Sequence, residues 1–216
     1  MNNPLAQRTK GARAFFEVFL SKSPLRVGFD LEYEFARPEH AGTAERVLGE
    51  ARDKEKFPRP LLVDRLLPWL SKLAGFEITT ADCGCLDESN AEMLSFHVVV
   101  DTVFIPKCGL PQFVAAIQDE FKPTLSPLLD VGVYNSRPFR LAGCSKVGGK
   151  RDLLPVSRVG DVQFGAIPPI RHIQKKNKKI PLLLSLLSRP SVTSDPNFFV
   201  VDEKFFVSEL TEQMKR

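Results

Sequence analysis

Leu25-Arg26-Val27-Gly28-Phe29-Asp30-Leu31-Glu32-Tyr33-Glu34-Phe35 is the stretch on which the fold turns. Val27, Phe29, Leu31, Tyr33 and Phe35 alternate with polar or small residues, which is the period of a strand with one buried face. Residues two apart on a strand share a face, so Asp30 and Glu32 stand side by side opposite the apolar row. Two carboxylates this close repel unless a cation sits between them, and hard divalent ions such as Mg²⁺ take oxygen ligands of this kind. A solvated acidic strand face gives the same pattern, and on this motif alone that reading prevails.

Working outward, residues 3–21 read as an amphipathic helix with Phe15, Phe16, Phe19 and Leu20 at helical spacing. The polar segment 41–56 reads as a surface helix or insertion. Residues 59–74 return to helical spacing, with Pro68 set to kink or restart the helix. A short strand is expected near 76–80, followed by an acidic loop over 81–92 that carries Asp82, Asp87, Glu88 and Glu92. The run 93–105 is rich in β-branched residues and reads as a long strand. Pro111 at a first helical turn opens a helix over 111–121. Two extended pieces follow, at 129–134 and 138–142. The class is α/β or α+β with a mixed sheet.

The chain has 216 residues, 43% of them hydrophobic, which suffices for one sizeable domain or one domain of two lobes. The net charge of +4 permits a polyanionic partner without requiring one. The charge is unevenly placed, with ten Lys/Arg against two acids between residues 146 and 190 and a net acidic remainder. Phe (17) far outnumbers Tyr (2) and Trp (1), so the aromatics read as core filler rather than as platforms for bases. No apolar run is long enough to span a bilayer, so no membrane partner is expected. The four cysteines, Cys83, Cys85, Cys108 and Cys144, are expected to be reduced in an intracellular compartment. Arg8, Lys10 and Arg13 ahead of the first apolar stripe fit a mitochondrial import signal or an ordinary basic helix face.

Three further motifs bear on chemistry. Ser95-Phe96-His97 places a hydroxyl and an imidazole on one face of the 93–105 strand, where both can reach phosphate oxygens; a structural histidine is the plainer alternative. Asp130 lies inside the apolar run Leu128-Leu129-Asp130-Val131, which is costly unless the carboxylate is paired, metal-bound or capping a turn. Arg137, Arg140 and Lys146 lie within ten residues of one another and could clamp a triphosphate, Arg with forked donors and Lys as a point charge.

In this order the motifs resemble the archaeo-eukaryotic primase superfamily, and most closely its primase-polymerase family. The family's first motif is Asp-Leu-Glu after an apolar residue, as at Phe29 to Glu32. Its second is Ser-x-His on a strand, as at Ser95 and His97. Its third is Asp followed by Gly-Val-Tyr, Arg, Phe-Arg-Leu and Ser-Lys, as in the run from Asp130 to Lys146. The resemblance covers residues 25 to about 160. It implies a two-lobed primase-like catalytic core with mixed sheets and an RRM-like lobe, one unit over residues 1–216 with lobes at roughly 1–92 and 93–216.

It also implies a template-dependent DNA primase/polymerase. Asp30, Glu32 and Asp130 would ligate two Mg²⁺ or Mn²⁺ ions. Ser95, His97, Arg137, Arg140 and Lys146 would hold the incoming nucleotide. Expected partners are a DNA template and primer, nucleoside triphosphates, and single-strand-binding or helicase proteins; the expected location is intracellular, in the nucleus and/or mitochondrion if the source is eukaryotic. The chain departs from the family at Met93, where a Lys often precedes the motif Ser by two residues. His172 is the one later zinc-type ligand after Cys144, so the C-terminal zinc module of larger members is not expected, and primer extension is the firmer expectation than priming from scratch. The rivals are a gap-filling or end-joining polymerase of the same superfamily and a catalytically inactive nucleic-acid-binding module.

Other features weigh less. Gly143 to Arg151 approximates a phosphate-binding loop but has one residue too many before the Lys and no Ser/Thr after it. Cys83-Gly84-Cys85 lacks the spacing of a structural zinc finger, and no zinc is expected. Asp101, on the strand face of His97, reads as a supporting or strand-end group. Lys175, Lys176, Lys178 and Lys179, with no acid among them, read as a track for DNA phosphates, against the alternative of a solvated linker.

Overall fold

The structure is a computed structural model that describes residues 25–49, 53–105, 109–134, 145 and 151–165, and the backbone of 16–17, 139–140 and 199–200. In chain order the strands are β1 (Phe16–Glu17), β2 (Leu25–Glu34), β3 (Cys83–Asp87), β4 (Met93–Ile105), β5 (Leu129–Asp130), β6 (Phe139–Arg140), β7 (Leu154–Val156), β8 (Arg158–Val159), β9 (Val162–Gln163) and β10 (Phe199–Val200). The α-helices are α1 (Pro38–Leu48), α2 (Leu67–Ala74) and α3 (Leu110–Phe121). The main sheet has the order β5-β2-β4-β3-β7 with every neighbour antiparallel, and β10 runs parallel to β4 at Val103 and Phe104. Strands from both sides of residue 92 thus lie in one sheet. Helices and an antiparallel sheet together make the chain α+β.

The alternation of β2 is realised from Phe29 onward, after a start at Leu25–Gly28 that is buried throughout. Val27, Phe29, Leu31 and Tyr33 are buried, while Asp30, Glu32 and Glu34 are half-buried. The same core holds Phe96 and Val98 from β4, Leu61, Leu62 and Leu66 from the segment before α2, Leu70 from α2 and Phe113, Ile117 and Phe121 from α3. Aromatic rings tie the layers together: Phe57 stacks between Tyr33 and Phe96, and Trp69 meets Phe113 and Phe121. Each fully buried Phe ring among them, such as Phe57, Phe96 and Phe113, contributes about 1.5–3 kcal/mol through burial alone. One face of the sheet is therefore packed under helices, and the carboxylates of β2 occupy the other.

Several local expectations change. Residues 16–17, placed by periodicity in a helix over 3–21, form a strand against Phe139–Arg140; the rest of that expected helix lies outside the described residues. The helix expected within 41–56 begins earlier, at Pro38, and is no simple surface element, because His40, Thr43 and Ala44 are buried. The helical reading of 59–74 holds with a change of winding. Arg59–Leu66 is a π-helix that passes into α2 at Leu67, where Pro68, lacking an N–H, sits in the first turn.

No strand forms at 76–80. A 3₁₀ turn at Thr80–Asp82 precedes β3, which lies inside the expected loop 81–92. Flanking acids disguised β3, while its Cys-Gly-Cys core is small and buried between β4 and β7. The 129–134 piece is extended only over Leu129–Asp130 and then winds into a 3₁₀ turn at Val131–Tyr134.

Candidate active site

Register brings the three sequence motifs together. Asp30 on β2 pairs with His97 on β4 to one side and with Asp130 on β5 to the other. Directly opposed residues of an antiparallel pair project to the same face, with Cβ atoms about 4.5–5.5 Å apart. His97, Asp30 and Asp130 therefore form a row across three adjacent strands. One same-face step along β2, Glu32 pairs with Ser95, adding the fourth and fifth residues to that face.

The closest contact in the row is between His97 Nε2 and Asp30 Oδ1, at 3.4 Å. Both groups are largely screened from solvent, at 6% and 15% side-chain exposure. Asp130 accepts the Gly132 N–H at Oδ1, 2.7 Å away, which starts the turn that ends β5. The turn-capping role and the position opposite Asp30 are both realised in this one side chain. Ser95 is fully buried, and its Oγ has no hydrogen-bond partner among the described residues. A buried hydroxyl left so costs about 1–3 kcal/mol unless another group reaches it.

Tyr134 holds the row in register. Beyond Asp130, β5 turns away and can no longer pair with the preceding residues of β2. Glu32 N–H donates to Leu128 O at 2.9 Å, so even-numbered residues of β2 direct their amides toward β5, Gly28 among them. The Tyr134 hydroxyl takes the place of the missing strand, accepting the Gly28 N–H at 3.0 Å and donating to Gly28 O at 2.5 Å. Burial pushes the phenol's pKa above its ordinary value, partly offset by its bond to Gly28.

Other expected site residues are placed differently or lie outside the described residues. Arg140 pairs through its backbone with Phe16 in a separate two-stranded sheet. Arg137, Lys146, Lys175, Lys176, Lys178 and Lys179 lie outside the described residues. Asp101 binds Arg26 at 2.6 Å where the β2–β4 register jumps, and the Arg26 guanidinium lies over the Phe104 ring. Cys83 and Cys85 are buried, and burial raises their thiol pKa values, which disfavours the thiolate that a metal would need. Asp30, Glu32, Asp130 and His97 share a face, but among the described residues no three or more His, Cys, Asp or Glu side chains are drawn close enough together to hold a metal ion as they stand. Nor is any described helix long and apolar enough to cross a membrane.

Sequence reading missed two supports, Tyr134 as a stand-in for a strand and the turn between β3 and β4, in which Ser89 Oγ accepts the Ser95 N–H. For Tyr134 the only signal was its place in the third motif. No protein-family model matches the chain, and no curated protein matches it.

Proposed function

We propose that the chain is a metal-dependent nucleotidyltransferase, a template-dependent DNA primase/polymerase of the primase-polymerase kind. The observation that carries this reading is the register that sets Asp30 opposite both His97 and Asp130, with Glu32 and Ser95 one step along. A structural explanation of any one residue is easy, but three separate segments converging on one face with acids, imidazole and hydroxyl is the donor set of a phosphoryl-transfer site.

Asp30 and Asp130 are opposed carboxylates of the type that hard divalent ions take, and Glu32 supplies a third on the same face. When bound there, such ions supply a lowered pKa at the attacking 3′-hydroxyl and neutralisation of the leaving pyrophosphate. His97 orients the Asp30 carboxylate from its 3.4 Å position and offers its ring to a phosphate oxygen. Ser95 has an uncommitted hydroxyl for the same purpose. Tyr134 keeps Asp130 beside Asp30 by fastening the end of β5 to Gly28. By the resemblance, Arg137, Arg140 and Lys146 complete the triphosphate contacts; by their uninterrupted positive charge, Lys175, Lys176, Lys178 and Lys179 hold DNA backbone.

The test is to incubate the purified chain with primed and unprimed templates, labelled nucleotides, and Mg²⁺ or Mn²⁺. Extension of the primed template supports the reading, and products on the unprimed template add priming to it. Extension restricted to gapped or end-joined substrates favours the gap-filling alternative. DNA retention with no product under any condition refutes the enzyme and leaves the inactive binding module.

A further inference from the structure

We propose that Ser89 is a positioning residue that sets the Ser95 hydroxyl for nucleotide, an inference that rests on the nucleotidyltransferase reading. The β3–β4 ladder closes at Asp87 opposite Phe96, and the next rung would join Glu88 to Ser95. A closely bonded antiparallel pair exchanges two N–H···O bonds. Here half of that exchange is made, Glu88 N–H donating to Ser95 O at 2.9 Å. The other half is split between side chains. Ser95 N–H donates to the Ser89 hydroxyl at 3.0 Å instead of to Glu88 O, and Glu88 O accepts from Arg151 at 3.3 Å.

The turn that presents Ser89 is itself fastened. Its N–H donates to Asp87 Oδ1 at 2.7 Å, and Asp87 pairs with Lys54 at 2.5 Å. Asn90 Oδ1 accepts the N–H groups of Glu92 and Met93, closing the far end of the turn. The Ser95 backbone is thus held by Ser89 and Glu88 together, while its fully buried hydroxyl, on the face of Glu32 and His97, is left with no partner among the described residues. The serine side chain completes the rung and so helps place the Ser95 backbone from which that hydroxyl projects. Replacing Ser89 by Ala strips the Ser95 N–H of its acceptor and leaves the rung held by the Glu88–Ser95 bond.

The experiment compares wild type, Ser89→Ala, Ser89→Thr, Ser95→Ala and the double variant Ser89→Ala/Ser95→Ala in the full chain. It reads single-nucleotide extension of a primed template, equilibrium binding of a fluorescent, non-incorporable nucleoside triphosphate in Mn²⁺, and thermal melting. Ser89→Ala is expected to raise nucleotide KM and Kd about tenfold, as for the loss of one well-placed hydrogen bond, with kcat changed less than about twofold. Ser89→Thr, which keeps the hydroxyl, is expected to stay within about twofold of wild type, and Ser89→Ala added to Ser95→Ala to have little further effect. If Ser89→Ala does not fold, Ser89→Cys, a weak acceptor of similar size, carries the same expectation. A lowered melting point with unchanged KM and Kd, or failure of Thr to restore them, overturns the inference alone. A wild-type chain that neither binds nor incorporates nucleotide overturns both it and the nucleotidyltransferase reading.

Discussion

Tyr134→Phe isolates the bond that keeps the candidate site in register. The ring stays edge-on to Phe113 at 5.5 Å, so no cavity opens. What is lost is the hydroxyl that both accepts from and donates to the Gly28 backbone. Each buried polar group deprived of its partner costs about 1–3 kcal/mol, and two such groups set the expected loss at roughly 2–6 kcal/mol. That is a large part of a typical domain stability of about 5–15 kcal/mol.

Urea unfolding followed by circular dichroism measures this loss as a lowered midpoint at unchanged slope. The pH profile gives a second signature. The folded phenol has a pKa above its ordinary 10.0, so above about pH 10 the unfolded state releases the proton first. Stability from this group is complete below that pH and falls as pH rises through it. Tyr134→Phe should lessen the alkaline fall, leaving the part that the buried Cys83 and Cys85 thiols contribute. A variant within about 0.5 kcal/mol of wild type would show that Gly28 finds other partners and that Tyr134 does not secure β5.

Two further outcomes are expected. His40 accepts the Glu34 N–H at Nδ1, and burial, reinforced by Arg37, lowers its pKa below 6.5. The neutral ring is required in the folded state, so its contribution is present above pH 6.5 and lost as pH falls below it; His40→Gln should flatten that part of the stability profile relative to wild type, as measured by urea titrations at stepped pH. Changing Lys175, Lys176, Lys178 and Lys179 to Ala should weaken DNA binding regardless of sequence and lower the salt dependence by about 0.7–0.9 per lost phosphate contact, with identical slopes placing the DNA track elsewhere.

Much of the frame was legible because hydrophobic period is local. The alternation of Val27, Phe29, Leu31 and Tyr33 fixed β2 and the face of Asp30 and Glu32; the 93–105 run and the α3 segment were equally plain. Pairing was not legible. Nothing near Asp30 says that it lies opposite both His97 and Asp130, because register depends on contacts far apart in sequence. β3 was hidden by its composition, since Cys83-Gly84-Cys85 carries neither the bulk nor the branching of a strand core. Ser89, in an acidic turn, gave no sign that its hydroxyl completes a ladder. The end of β5 was misread because Val131-Gly132-Val133-Tyr134 has strand-like residues, whereas the Asp130–Gly132 turn and the Tyr134–Gly28 bonds favour a 3₁₀ turn.

Single-nucleotide extension of a primed template by wild type and by Asp130→Asn, at matched folding by melting curve and with saturating Mn²⁺, bears most directly on the central claim. Asn keeps the size and the acceptor for the Gly132 N–H but removes the charge opposite Asp30. The account predicts measurable extension by wild type and a loss of at least about a thousandfold in the variant, the scale of several kcal/mol of transition-state stabilisation. Extension by Asp130→Asn within about tenfold of wild type would contradict it, as would a folded wild-type chain that extends nothing with either metal.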